Sequence, residues 1–187
     1  MKRKVIAVTG GIGSGKSQVL AILRSQGFAT VDCDALSRQI ADEKQVIAAV
    51  EQLLGSDCVT NGAINRQKVR EVVFSDRNLL AKYNAIFHER VKNRLNEQIQ
   101  RANGIVFVEI AVLDAFEFHF DEIWLVASEQ QTRIERVTAR DGVTVQNVEH
   151  IMKRQYYADY TRTISNDGSV DELCKQVFLA LKEAQIV

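Results

Sequence analysis

Val5-Ile6-Ala7-Val8-Thr9-Gly10-Gly11-Ile12-Gly13-Ser14-Gly15-Lys16-Ser17 is the stretch that decides the fold. Its leading apolar residues read as a buried strand, and the turn behind them fits G-x-x-x-x-G-K-[ST] at every fixed position. Glycine lets the backbone curl until successive N–H groups face one concavity, a cradle for a polyphosphate. The helix expected from Lys16 to about Gln26 adds the positive end of its dipole to the same anion. Gly11, Ile12, Gly13, Ser14 and Gly15 are therefore read as a nucleotide-phosphate cradle. Lys16 is read as the cation on the terminal phosphates, and the Ser17 hydroxyl as a ligand of Mg2+. An ordinary glycine-rich βα turn is the alternative, but it explains neither the Lys-Ser ending nor the strand in front.

Outward from this stretch, four more segments read as strands: Phe28-Ala29-Thr30-Val31, Ile105-Val106-Phe107-Val108, Ile123-Trp124-Leu125-Val126 and the short Thr163-Ile164. Their continuous apolar character predicts strands covered on both faces, as in a parallel sheet. Helical patterns separate them, so the expected class is α/β, a five-stranded parallel sheet with helices on both faces. Val19, Leu20, Ile22 and Leu23 give the first helix an apolar face, and Gly27 closes it. Ser128 with Gln131, and Ser169 with Glu172, read as capping boxes for the helices after the fourth and fifth strands. Thr144 reads as the cap of a helix through Val148, Ile151 and Met152.

Residues 35–103 are helical in pattern almost throughout, with one Asn61-Gly62 turn and no strand candidate of weight. An insertion that long exceeds a simple crossover. It is expected to be a helical substrate-binding subdomain, which leaves residues 1–34 and 104–187 as the nucleotide-binding core.

Composition narrows the setting. The chain has 187 residues, enough for one substantial core with a smaller appendage. Its 24 basic and 24 acidic side chains cancel, so net charge makes no case for a nucleic-acid or membrane partner. Cys33, Cys58 and Cys174 are odd in number and lack C-x-x-C spacing, which fits reduced thiols in a cytoplasmic protein. Met1-Lys2-Arg3-Lys4 is basic, but the apolar run behind it is short and enters the glycine loop, which argues against a secretory signal. No apolar stretch approaches a membrane span, and a monomer or weak homo-oligomer is expected.

Val31-Asp32-Cys33-Asp34 sets two carboxylates at the carboxyl end of the second strand, where open α/β sheets bind their ligands. One carboxylate suits Mg2+, directly or through water; the other suits removal of a proton from an acceptor hydroxyl. The plainer reading has Asp34 capping a helix that begins at Ala35. Further on, Arg133, Arg136 and Arg140 recur at spacings of three and four, on one helical face. Arg140-Asp141-Gly142 then breaks the helix, and a second helix begins near Thr144 and carries Arg154. This helix–turn–helix, at about 136–156, is expected to be a lid. Arg136 and Arg140 are its candidates for the nucleotide phosphates, against the plainer reading of a solvated face paired with Glu135 and Asp141.

Taken in order, these pieces give a chain that resembles the dephospho-coenzyme A kinases over nearly its whole length. The resemblance is carried by the loop through Ser17, by Asp32-Cys33-Asp34 with Arg38, and by Gly62-Ala63-Ile64-Asn65-Arg66 with Val73-Phe74. Ile86-Phe87-His88 follows, then Arg140-Asp141-Gly142-Val143-Thr144 with Gln155, and Ile164-Ser165-Asn166-Asp167-Gly168. It implies a P-loop kinase fold like that of the nucleoside monophosphate kinases, with a helical substrate domain and a lid. It also implies transfer of the γ-phosphate of ATP to the 3′-hydroxyl of dephospho-CoA, with Mg2+. By the same resemblance Lys16, Asp34 and Arg140 are catalytic, Asp34 as general base with Asp32 as its acidic partner. Asp32, Arg38 and His88 then lie on the substrate side, and Asn166 and Gly168 border the adenine of ATP.

The chain departs from the family pattern at Gln18, usually threonine, and at Glu89, usually proline. It departs again at Ile110-Ala111-Val112-Leu113-Asp114, where Glu109 or Asp114 takes the place of an acidic residue. Two other functions share the loop. One is a kinase for another small-molecule hydroxyl, against which the long helical insertion favours a large acceptor. The other is a non-catalytic nucleotide-binding paralogue, supported by these departures alone.

Overall fold

The computed structural model describes residues 3–73, 76–113, 118–153 and 159–187. Strands β1 (Lys4–Thr9), β2 (Ala29–Asp32), β5 (Ile105–Glu109), β6 (Glu122–Ala127) and β7 (Arg162–Ser165) form one sheet in the order β2-β5-β1-β6-β7. Every pairing in it is parallel, so all five carboxyl ends face the same way. Each strand coincides with an apolar run seen in the sequence.

The alternation along β1 shows why those runs are continuous. Ile6 and Val8 join Phe107, Trp124, Val126 and Ile164 in one core cluster on one face of the sheet. Helix α1 (Lys16–Ser25) brings Val19, Leu20 and Leu23 to that cluster, and α8 (Val170–Glu183) brings Leu173, Val177, Ala180 and Leu181. The alternate residues Ala7, Val106 and Val108 are just as fully buried, so the other face is covered too. Phe107 sits edge-on between Phe28 and Trp124, with ring centroids 5.4 and 5.1 Å away.

The chain divides into two compact units, residues 1–32 with 99–187, and residues 33–98. The expected boundaries fell after residues 34 and 103. The difference has a local origin: α2 (Cys33–Ala41) opens directly off β2, and α5 (Arg77–Arg101) runs through the second boundary without a break.

Within residues 33–98, α2 is followed by α3 (Lys44–Leu54), α4 (Arg66–Val73) and most of α5. A two-stranded hairpin, β3 (Val59–Thr60) with β4 (Ala63–Ile64), interrupts the helices. The sequence had offered only the turn at its tip. Asn61 and Gly62 both have positive φ, 53° and 74°, the geometry of a tight two-residue hairpin loop. The strands are too short to leave a periodic signal. Leu36, Ile40, Val46, Val50, Cys58, Val69, Phe87, Val91 and Leu95 are buried here.

Two of the three caps stand. Ser169 and Glu172 make a full capping box on α8, and Thr144 accepts from Asn147 N at 3.3 Å at the start of α7 (Val145–Met152). Ser128 does not cap its helix: α6 (Gln130–Asp141) has Glu129 at the N-cap with no side-chain bond. The Ser128 hydroxyl instead donates to Asp167 Oδ1 at 2.6 Å and lies 3.0 Å from Asn166 O. A partner 39 residues away wins over the local one. Among the described residues no helix is long and apolar enough to cross a membrane.

Candidate active site

The glycine loop leaves the carboxyl end of β1, the central strand, and turns into α1. Ser14 N donates to Gly11 O at 3.1 Å, closing the turn. Two glycines are required by their surroundings. Gly13 has φ +77°, and a Cβ there would lie 2.6 Å from Arg133 O of α6. Gly15, at the N-cap of α1 with φ +94°, would place a Cβ 2.0 Å from Asn166 Nδ2. Lys16 curls back so that Nζ donates to Gly10 O at 3.0 Å and Gly11 O at 3.4 Å, which holds the ammonium over the loop. The Ser14 hydroxyl is buried beside Gly10 and has no hydrogen-bond partner among the described residues.

Ser17 Oγ donates to Glu109 Oε1 at 3.2 Å. Glu109 ends β5 and is buried, an acidic residue in the wall of the core. Its register partner on β2 is Asp32, so the two carboxylates stand side by side at the strand ends. A hydroxyl and carboxylates form an all-oxygen donor set, the kind that Mg2+ takes. Of the two acidic residues offered as replacements after the third strand, Glu109 is at this hydroxyl. Asp114, like Phe74, Arg154 and Gln155, lies outside the described residues.

Asp34 is the second residue of α2, in its first turn, rather than a cap ahead of it; the helix begins at Cys33. Arg38 follows one turn later on the same helix face, and both side chains are exposed. His88 is half-buried on α5, beside Phe87, whose ring packs 5.2 Å from that of Tyr83. These three belong to residues 33–98, while the loop, Asp32 and Glu109 belong to the other unit.

The arginine helix divides its labour. Arg136 Nη1 donates to Asn166 O at 2.9 Å and to Ser128 Oγ at 3.3 Å. Arg140 is exposed and grips its neighbour Asp141 with two bonds of 2.7 Å. That pair, through its hydrogen bonds, lowers the Asp141 carboxyl and raises the Arg140 guanidinium. Gly142 then ends α6 in the left-handed conformation. Ile134, Val137 and Val148 form a small apolar cluster joining α6 to α7, and Ile12 of the glycine loop packs against it with Val143 and Met152.

The last βα loop is held tightly. Asn166 is buried and its Nδ2 donates to Ser14 O at 2.7 Å and Gln18 Oε1 at 3.3 Å. Asp167 accepts from Ser128 Oγ and, at 2.7 Å, from Glu129 N, so it supplies the α6 cap from another part of the chain. The Ser128 hydroxyl, with the Glu129 amide and the Arg136 charge, outweighs partial burial and lowers the Asp167 carboxyl. Gly168 is pressed against the capping carboxylate of α8: a Cβ there would lie 2.0 Å from Glu172 Oε2. The capping role of Asp167 escaped the sequence because nothing local distinguishes it from a turn residue.

The dephospho-CoA kinase family model matches residues 4–172. The chain belongs to the dephospho-CoA kinase family. A dephospho-CoA kinase of Hydrogenovibrio crunogenus is 31% identical over 159 residues, 81% of each chain. A crystal structure from Thermus thermophilus superposes with a TM-score of 0.87 at 30% identity, covering 100% of both chains. A shikimate kinase from Bacteroides thetaiotaomicron, 13% identical with a TM-score of 0.56 and covering 97% of this chain and 98% of that one, shares the fold alone. This chain is a kinase, with the expected five-stranded parallel P-loop kinase architecture.

Proposed function

We propose that this chain carries out the reaction of its family, transfer of the γ-phosphate of ATP to the 3′-hydroxyl of dephospho-CoA, the last step of coenzyme A synthesis. The observation that carries the reading is the Lys16–Ser17–Glu109 group at the mouth of the glycine loop, in a chain matched by the family model from residue 4 to 172. Loop amides and Lys16 hold the β- and γ-phosphates. Ser17, backed by Glu109, holds Mg2+, which when bound neutralises charge on the phosphate oxygens.

Asp34 accepts the 3′-hydroxyl proton on its carboxylate as the ribose oxygen bonds to the γ-phosphorus. The bond from that phosphorus to the β-phosphate oxygen breaks, and the released charge stays with Lys16 and the loop amides. Chain connectivity supports Asp34 in this role: a single residue separates it from Asp32 at the end of β2, a reach of at most about 7 Å. Arg38 and His88 hold the acceptor. Arg140 leaves Asp141 for the transferred group as α6 and α7 act as a lid over the nucleotide. Three free cysteines support a cytoplasmic setting.

ADP formation with dephospho-CoA, measured for the wild type and for Asp34→Asn, tests the reading. The expected result is acceptor-dependent turnover that the substitution nearly abolishes. Equal rates in the two proteins would remove Asp34 as base. Turnover only on another hydroxyl from an acceptor panel would remove the substrate while leaving the kinase.

A further inference from the structure

The family resemblance sets Asn166 beside the adenine of ATP, and helical spacing makes Arg136 a candidate for its phosphates, yet both side chains are engaged elsewhere. We propose that Asn166 is a positioning residue for the phosphate loop, a latch that fixes the Ser14 carbonyl and is itself held from behind by Arg136. The proposal rests on the reading of that loop as the polyphosphate cradle.

Ser14 O can only accept, so the face of Asn166 turned to it must be the NH2 group. That NH2 spends its hydrogens on Ser14 O at 2.7 Å and Gln18 Oε1 at 3.3 Å, one on the loop and one on the first turn of α1. The latch has a rigid base. Asn166 N donates to Ala127 O at 2.8 Å, extending the β6–β7 ladder by one residue beyond Ser165. Its carbonyl receives Arg136 Nη1 at 2.9 Å. Asn166 is 3% exposed and its bond to Ser14 O is buried, where losing a partner is costly.

The latch also explains the last glycine of the motif. A Cβ at residue 15 would meet Asn166 Nδ2 at 2.0 Å, so the glycine is required by the latch as well as by its φ of +94°. Fixing the Ser14 peptide fixes the direction in which the neighbouring amides point, and an oriented amide nest is what gives the loop its affinity for phosphate. Gln18, where the family usually has threonine, adds a second acceptor to the same NH2 group. In this chain the departure strengthens the latch.

Calorimetric titration with tripolyphosphate, ATP and GTP, for wild type, Asn166→Asp and Gln18→Ala, separates a latch from a base contact. Asn166→Asp turns an oxygen toward Ser14 O. It should weaken tripolyphosphate and ATP by the same factor, about tenfold or more, with the ATP-to-GTP ratio unchanged. Gln18→Ala, at an exposed position that will fold, should weaken both by about two- to threefold, again in parallel. Loss of the ATP-to-GTP preference with tripolyphosphate binding intact would overturn the latch in favour of base recognition, and unchanged binding of all three ligands would overturn it outright. No acceptor is present, so a wrong assignment of dephospho-CoA leaves the result readable. A wild type that binds neither ATP nor tripolyphosphate would overturn the cradle itself.

Discussion

The two ends of the parallel sheet carry charged groups of opposite purpose. At the amino ends of β1, β6 and β7, Glu122 accepts from Lys4 Nζ, from Trp124 Nε1 at 2.8 Å and from Arg162 Nε at 3.0 Å. Arg162 reaches on to Glu183 of α8 at 3.4 Å. Charge meets charge there, and the cluster satisfies itself. At the carboxyl ends, Lys16 leans on backbone carbonyls, Ser17 on Glu109, and Arg136 on a backbone carbonyl and a hydroxyl. The carboxylates of Asp32, Glu109 and Asp167 stand among them, so this end gathers charge of both signs around the glycine loop. The amino-end cluster closes on itself, and the carboxyl end is where the proposed function puts the polyphosphate.

Substitutions at the carboxyl end should break the reaction and spare the fold. Asp34→Asn is expected to lower kcat by about 10^3-fold, within the range for loss of a general base, with the thermal midpoint unchanged because the residue is exposed. Coupled ADP assay beside thermal unfolding checks both halves. Next in size, Arg140→Ala should lower kcat by about 10^2-fold. Its exposed pairing with Asp141 contributes little to stability. A variant that lost stability without losing rate would assign Arg140 to the fold.

Glu109→Gln leaves a hydrogen-bond acceptor for Ser17 but removes a charge. It should raise the Mg2+ concentration for half-maximal rate by about tenfold, in the range seen when support of a metal ligand is lost. A metal titration at saturating ATP would show it, and an unchanged midpoint would place the metal away from Glu109.

The amino end should answer in the other currency. Glu122→Gln is expected to cost about 1–2 kcal/mol in urea unfolding, between an exposed and a fully buried ion pair, with kcat unchanged. The effect should depend on pH. Burial acts to raise the Glu122 carboxyl, but its bonds from Lys4, Trp124 and Arg162 win, and the folded value lies below the ordinary 4.5. A depressed folded value gives stability that is full above 4.5 and is lost as pH falls through the folded value. The stability gap between wild type and variant should therefore narrow below that pH, and a gap independent of pH would remove the charge from the account.

Several of these contrasts were legible along the chain and several were not. The run from Val5 to Ser17 names strand, loop and helix because its signals are local: apolar continuity, glycine spacing and a terminal Lys-Ser. Ser169 with Glu172 and Thr144 with Asn147 are legible for the same reason, since each bond closes within three residues. Ser128 was misread because an equally good local signal lost to Asp167. The hairpin at Asn61-Gly62 was half seen, its turn chemistry plain and its strands too short for any period. The start of α2 lies two residues ahead of the Ala35 that the capping reading gives, since a helix that starts straight off a strand has no cap to mark its beginning.

The sequence by itself determined the five strands of the sheet in chain order, the glycine loop and the family, because these depend on spacing and on residue type along the chain. Only the tertiary structure decided the strand order β2-β5-β1-β6-β7, which sets Glu109 against Ser17 and Asp32. It alone decided that the Asn166 amide faces Ser14 and that Arg136 holds Asn166 in turn. Those contacts join residues 92, 152 and 30 positions apart. The geometry of a buried hydrogen bond is fixed by packing, and packing leaves no periodic trace in the residues it brings together.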